Sequence, residues 1–210
     1  NDVKNLTENY SISEIVAKLL SIRKKNILDI KLFLKPTIKD NLPNPLKLKD
    51  MENAITRTYK AILQNEIIGI FGDYDVDGAT STALLFKYFS SINHEIITYI
   101  PDRKKEGYGP SVNGFNNLMS RGVKIIFTVD CGTLSFEPVS LAQKSNIDVI
   151  ILDHHQSDIN IPKACAVINP NRHDDNSKLN YLCAAGVCFM YLVALNKKLR
   201  EKNWFIENNI

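Results

Sequence analysis

The stretch "IIGIFGDYDVDGATSTALLF", residues 67–86, sets an apolar β-type run against a helical one, with Asp73, Asp75 and Asp77 at alternate positions between them. Its first half is a nearly unbroken apolar run, the pattern of a strand buried on both faces. Its second half has helical spacing. A strand running straight into a helix is the opening of a βαβ unit, which belongs to a parallel sheet covered by helices. Gly78, directly after the third aspartate, is expected to let the backbone turn tightly into the helix. Three carboxylates this close raise one another's pKa values unless a cation neutralises them.

Moving outward, the same alternation continues through "EIITYI" (95–100), "VNGFNNLMSRG" (112–122), "KIIFTVD" (124–130), "LSFEPVSLAQKS" (134–145), "DVIILD" (148–153) and "ACAVIN" (164–169). A last helix is read over "LNYLCAAGVCFMYLVALNKKLR", residues 179–200. The expected fold is therefore α/β, a parallel sheet flanked by helices on both faces. Upstream, "MENAITRTYKAILQ" (51–64) reads as one helix and "SISEIVAKLLSIRKKNILDIKLFL" (11–34) as two short ones. Between them, "KPTIKDNLPNPLKLKD" carries Pro36, Pro43 and Pro45 and is expected to be an extended connector. Two parts result: a helical N-terminal extension with its connector over 1–48, and an α/β domain over 49–210.

Composition narrows the function classes. At 44% hydrophobic and 23% charged, this is a soluble globular chain. Its net charge of +3 is too small for nucleic-acid binding by overall charge, so such a site would have to be local. The cysteines Cys131, Cys165, Cys183 and Cys188 form no CxxC pair, and no signal peptide opens the chain. A cytoplasmic location with reduced thiols is expected. No apolar run approaches the ~18 residues that a membrane span requires. The chain starts at Asn1 and ends on "ENNI", and is expected to be part of a longer protein.

In open parallel sheets, functional groups collect at the C-terminal ends of the strands. Here those ends deliver Asp73, Asp75 and Asp77, then Asp130, then Asp153, His154 and His155. A single loop aspartate means little, since its side chain often bonds local backbone. Convergence of so many on one edge points to a divalent cation. An EF-hand loop is excluded because Leu84 stands where its bidentate glutamate belongs and a strand precedes the loop. A phosphate-cradling loop is excluded because no lysine follows Gly72 or Gly78. Mixed carboxylate and imidazole donors suit Mn²⁺ or Mg²⁺; zinc stays an alternative that lacks thiolates, Cys131 beside Asp130 being the one cysteine near this edge and read as a small packed residue. Neighbouring residues on an extended chain point opposite ways, so His154 and His155 are expected to do different jobs, one on metal and one toward the substrate or a supporting acid, with Asp153 the natural orienting partner. Carboxylates shared around two cations make a two-metal phosphoesterase centre. His173, Asp174 and Asp175 read as a solvated loop.

"GDYDVDGATST", "TVDCG" and "LDHHQS", in this order and spacing, resemble the three N-terminal motifs of the DHH phosphoesterases. "LPNPLKLKDMENAI", "IPDRKKEGYGPS", "VINPNRHDD" and "LCAAGVCFMYLV" further resemble the RecJ-type single-stranded-DNA-specific exonucleases. The resemblance implies 5′ to 3′ removal of nucleotides from single-stranded DNA in recombination and repair, with two Mn²⁺ or Mg²⁺ ions in a complete site. It implies metal ligands at Asp75, Asp77, Asp130 and His154, with Asp73 a further acid of the first motif counted among them, a substrate-contacting or charge-stabilising role for His155, and a DNA phosphate contact at Arg103; Asp153 joins His155 in the catalytic pair as its orienting partner. Phe71 stands where some family members have a histidine. A further family ligand would lie beyond Ile210, so this piece alone is expected to be poorly active. The alternatives are a DHH hydrolase acting on oligoribonucleotides, cyclic dinucleotides or pyrophosphate, and a non-catalytic scaffold of the same fold.

Overall fold

Residues 2–22 and 30–210 are described in a computed structural model, which divides into two units, one ending at Asn44 and one spanning Pro45–Ile210. In the first unit, α1 (Asp2–Tyr10) and α2 (Glu14–Ile22) pack on each other, with Ala17 buried. Helix α3 (Ile30–Leu34) follows, then α4 (Ile38–Asn41), capped by Thr37, whose hydroxyl accepts from the Asp40 amide at 3.2 Å. Helices α2 and α3 fall inside the stretch expected to be helical, and residues 23–29 of that stretch lie outside the described residues. Helix α1 goes beyond the sequence reading, because "DVKNLTENY" carries too few apolar side chains to show a stripe. The expected extended connector holds α4 and a 3₁₀ turn at Pro45–Lys47. Its prolines stand outside α4 and at the first position of the turn, where proline is tolerated.

The second unit opens with α5 (Met51–Leu63) and then alternates: β1 (Ile68–Gly72), α6 (Val76–Ser91), β2 (Ile96–Tyr99), α7 (Val112–Ser120), β3 (Ile125–Val129), α8 (Phe136–Lys144), β4 (Asp148–Leu152), β5 (Ala166–Ile168), α9 (Ala184–Glu201) and α10 (Trp204–Glu207). All five strands are parallel, in the order β2-β1-β3-β4-β5. The period of two in each strand sorts its side chains to opposite faces. Ile68, Ile70, Ile125, Phe127, Ile150, Leu152 and Ile168 join the core under α5, α6 and α9, while Phe71, Ile126, Val149, Ile151 and Val167 join the core under α7 and α8. Helices thus cover both faces, as expected. Among the described residues, no helix is long and apolar enough to cross a membrane.

Two boundaries differ from the sequence reading. Helix α6 starts at Val76, so Gly78 lies within its first turn and is not a hinge before it. A Cβ at Gly78 would come within 2.6 Å of the Asp73 carbonyl oxygen and 2.7 Å of its Cβ. Close approach to the β1 end, not turning, is therefore what requires glycine there. Helix α9 starts at Ala184, later than its apolar pattern suggests. Its first amides, Ala184 and Ala185, donate to the Asp77 carboxylate at 2.7 and 2.8 Å, a long-range cap that local pattern does not reveal.

The core also contains a titrating group. His94, just before β2, is buried with its ring 6.0 Å from Phe89, and its Nε2–H donates to the Glu66 carbonyl at 2.9 Å. Burial lowers its pKa, against the opposing pull of that hydrogen bond and the Glu95 and Glu66 carboxylates. With the folded pKa below the unfolded value of about 6.5, stability is full above that pH and is lost as pH falls through it, because the unfolded chain binds the proton more readily. The urea midpoint should therefore drop more between about pH 7.5 and about pH 5.5 in the parent than in His94→Gln. Equal drops would show that His94 makes no such contribution.

Candidate metal centre

Order β2-β1-β3 places the topological switch between β1 and β3, where connections leave in opposite directions and a crevice opens at the strands' carboxyl ends. Asp73 follows β1 and Asp130 follows β3, both buried, and Asp153 follows β4 with the two histidines next in the chain. Ligand atoms of Asp73, Asp75 and Asp130 lie within 4.8 Å of one another, and so do those of Asp130, His154 and His155. Asp130 belongs to both groups. Its backbone is left-handed, φ 61°, a conformation aspartate and asparagine tolerate better than most residues. The His154 Nε2 stands 3.3 Å from Asp130 Oδ1 and 3.5 Å from Asp77 Oδ2.

Electrostatics at this edge are unfavourable without a cation. Oδ1 of Asp73 and Oδ1 of Asp130 are buried with no hydrogen-bond partner. Burial, with Asp75 and Asp77 alongside, pushes the Asp130 carboxyl up to about 8. Asp73 is also raised, by burial first and by Asp75. Asp75 is lowered, because it caps α6 by accepting from the Gly78 amide at 2.9 Å. A buried acceptor without a donor costs about 1–3 kcal/mol, and more when charged. Two such oxygens facing further carboxylate and imidazole atoms fit a divalent cation by their own chemistry.

Asp153 is placed differently. Its Oδ2 accepts from the Thr133 hydroxyl at 2.6 Å and amide at 3.1 Å, and its Oδ1 from the amides of His154 and His155 and from His155 Nδ1, the last at 2.7 Å. Burial alone would raise its pKa, but the His155 and Thr133 hydrogen bonds outweigh it and hold Asp153 at about 2. The same contact raises His155. This carboxylate is saturated by donors and aims His155.

Of the sequence-derived candidates, the fold gathers Asp73, Asp75, Asp130, His154 and His155 into ligand groups. Asp77 borders them with both oxygens on the α9 amides. Arg103 is exposed, its guanidinium 5.3 Å from the Tyr74 ring centre. Four participants escaped sequence reasoning: Tyr108, Thr133, Asn169 and Asn171. Tyr108 donates to the Asp130 carbonyl at 3.1 Å, and its hydroxyl lies 3.4 Å from His155 Nε2. Gly107 (φ 78°) and Gly109 (φ 80°) flank it, and two glycines around an aromatic were its visible signal. Asn169 and Asn171 donate to the carbonyls of His155 and His154, contacts with no local sequence mark.

The chain and its fold are similar to known proteins. The sequence profile described as "DHH family, N-terminal domain" matches residues 67–210. The single-stranded-DNA-specific exonuclease RecJ of Bacillus subtilis is 34% identical over 200 residues, 95% of this chain and 25% of that protein. RecJ of Escherichia coli is 38% identical over 178 residues, covering 84% of this chain and 31% of that one. The chain thus spans about a quarter to a third of the length of these curated relatives. A crystal structure of exonuclease RecJ bound to manganese superimposes with a TM-score of 0.66 at 30% identity, over 72% of this chain and 38% of that one. The RecJ structure from Thermus thermophilus in complex with Mn²⁺ shares the fold, with a TM-score of 0.74 at 24% identity over 94% of this chain and 27% of that one. With the match running from β1 through α10, more than two thirds of the chain, and Asp73, Asp75, Asp130, His154 and His155 of that span gathered at one sheet edge, the chain belongs to the DHH family.

Proposed function

We propose that the protein is a metal-dependent exonuclease that hydrolyses single-stranded DNA from its 5′ end, in recombination and repair. The observation that carries this reading is the pair of overlapping ligand groups sharing Asp130, with buried carboxylate oxygens that have no donor. The relatives named as single-stranded-DNA-specific exonucleases support the substrate, and those solved with Mn²⁺ or Mg²⁺ support the metal. Residues 49–210 would be the catalytic DHH domain and 1–48 an extension. Its cysteines are free thiols, in keeping with a cytoplasmic setting.

In this reading Asp73, Asp75, Asp77, Asp130 and His154 hold Mn²⁺ or Mg²⁺, two ions in a complete site. The ions would supply charge stabilisation at the phosphate and activation of water. The chain's own part is positional. Asp153 holds the His155 Nδ1–H, leaving Nε2 turned toward the substrate side to stabilise or exchange a proton with the scissile phosphate. The Arg103 fork, at the Tyr74 ring, suits a DNA phosphate.

The test is incubation of the intact protein with 5′-labelled single-stranded and duplex DNA, with and without Mn²⁺. Labelled mononucleotide should appear from the single strand alone, and only with metal. Binding without cleavage would sink the enzyme reading, and cleavage confined to dinucleotides would sink the DNA one.

A further inference from the structure

The two histidines are held from outside their own loop, and the hydrogen bonds that hold them run in one direction. Asp153 is acceptor-only, so the Thr133 hydroxyl must give its proton to Asp153 Oδ2 at 2.6 Å. The Thr133 oxygen then has only lone pairs left, so the side chain at 169 must donate to it, which Asn169 Nδ2 does at 2.9 Å. The second Nδ2 proton goes to the His155 carbonyl, also at 2.9 Å. Independently, Asn169 Oδ1 accepts from the Asn171 amide at 2.8 Å, which demands the same amide orientation. At the other end of the chain of bonds, Asp153 Oδ1 can only accept, so His155 Nδ1 carries the proton. Asn171 Nδ2 donates to the His154 carbonyl and so fixes the peptide next to the ring that faces Asp130.

We infer that Asn169 and Asn171 are positioning residues of the metal centre, and that Asn169, through Thr133, holds in place the Asp153 carboxylate that sets the His155 tautomer. Asparagine is required at 169 because the position needs two donors and one acceptor on a single short side chain. Aspartate has the shape without a donor, and would set lone pairs against Thr133 Oγ1 and the His155 carbonyl. The hydroxyl of Thr133 would then turn to the substituted carboxylate and leave Asp153, loosening its hold on the imidazole.

The test reads the imidazole directly, in the chain labelled with ¹⁵N-histidine, whose four histidines keep the spectrum simple. At alkaline pH, where the neutral ring dominates, His155 of the parent should show the Nδ1–H tautomer alone. Asn169→Asp should lose that preference and give a mixture, as should Thr133→Val, which keeps the side-chain shape and removes the relay. Thr133→Ser restores the hydroxyl and should restore the single tautomer. Should Asn169→Asp fail to fold, Thr133→Val and Thr133→Ser carry the comparison. An unchanged Nδ1–H tautomer in either folded variant lacking the relay would overturn the inference. In the intact protein Asn169→Asp and Thr133→Val should lose roughly ten- to a hundredfold in kcat with KM little changed and Thr133→Ser should not, a readout that rests on the nuclease reading whereas the tautomer does not.

Discussion

On the nuclease reading, Asp130→Asn is expected to abolish DNA hydrolysis by the intact protein and, in the same stroke, to make the metal-free chain more stable. Asp130 is the one carboxylate common to both ligand groups, so no neighbour can replace it on either side. A fall in kcat of at least about a thousandfold is expected, roughly 4 kcal/mol of transition-state stabilisation. Asparagine is the cleaner replacement than alanine, because it accepts the left-handed backbone at this position, φ 61°. The stability change follows from the same geometry. Without metal, the Asp130 side chain is buried against Asp75 and Asp77, and its Oδ1 has no donor. Replacing this buried ionisable carboxyl with a neutral amide should raise the melting temperature by about 2–4 °C for each kcal/mol relieved. Adding Mn²⁺ should then raise the parent's melting temperature, as binding to the folded state requires, and leave the variant's nearly unmoved. Activity within about tenfold of the parent, or a variant that melts lower without metal, would show that Asp130 is not the shared ligand.

Much of this site was legible because its parts lie where a periodic pattern stops. Each of β1, β3 and β4 is an apolar run that leads into an aspartate, and the parallel-sheet rule alone brings Asp73, Asp130 and Asp153 to one edge. Assigning a job to each carboxylate was harder. Asp75 and Asp77 look alike in sequence, yet Asp75 caps its own helix through Gly78 and Asp77 caps α9, more than a hundred residues onward. Asp153, expected to orient a histidine, does hold His155 Nδ1, but the sequence does not show that it is saturated by five donors, two of them from Thr133. Partners of this kind are set by tertiary contact, which no local spacing encodes. The same holds for Asn169 and Asn171, whose "NPN" reads as a turn until the carbonyls they support are known.

Gly78→Ala is expected to damage both stability and hydrolysis, although in an exposed helix the same change stabilises by about 1 kcal/mol. The helix preference is outweighed here by what the new methyl group meets. Its Cβ would stand 2.6 Å from the Asp73 carbonyl oxygen, 2.7 Å from Asp73 Cβ and 2.8 Å from the Asp73 carbonyl carbon. None of these is the far end of a flexible side chain. All belong to buried Asp73, directly after β1, so relief requires the chain leaving the strand and the first turn of α6 to separate. Overpacking of this kind costs about 1–3 kcal/mol, which predicts a melting temperature lower by several degrees. The separation also moves Asp73 away from Asp75 and Asp130, and a misplacement of about 1 Å suffices for a hundredfold loss of rate. Gly69→Ala is the matched control within the same strand. Its Cβ would meet only side-chain atoms, of Val123 at 3.3 Å, Leu118 at 3.4 Å and Ile126 at 3.5 Å, which can yield by a few tenths of an ångström. That variant should keep hydrolysis within about threefold of the parent, because it presses only on side-chain tips and not on the backbone that carries a ligand. If Gly78→Ala melted and cleaved like the parent, β1 and α6 would not be held in this contact, and the spacing of Asp73 from Asp75 would have to be maintained by some other means.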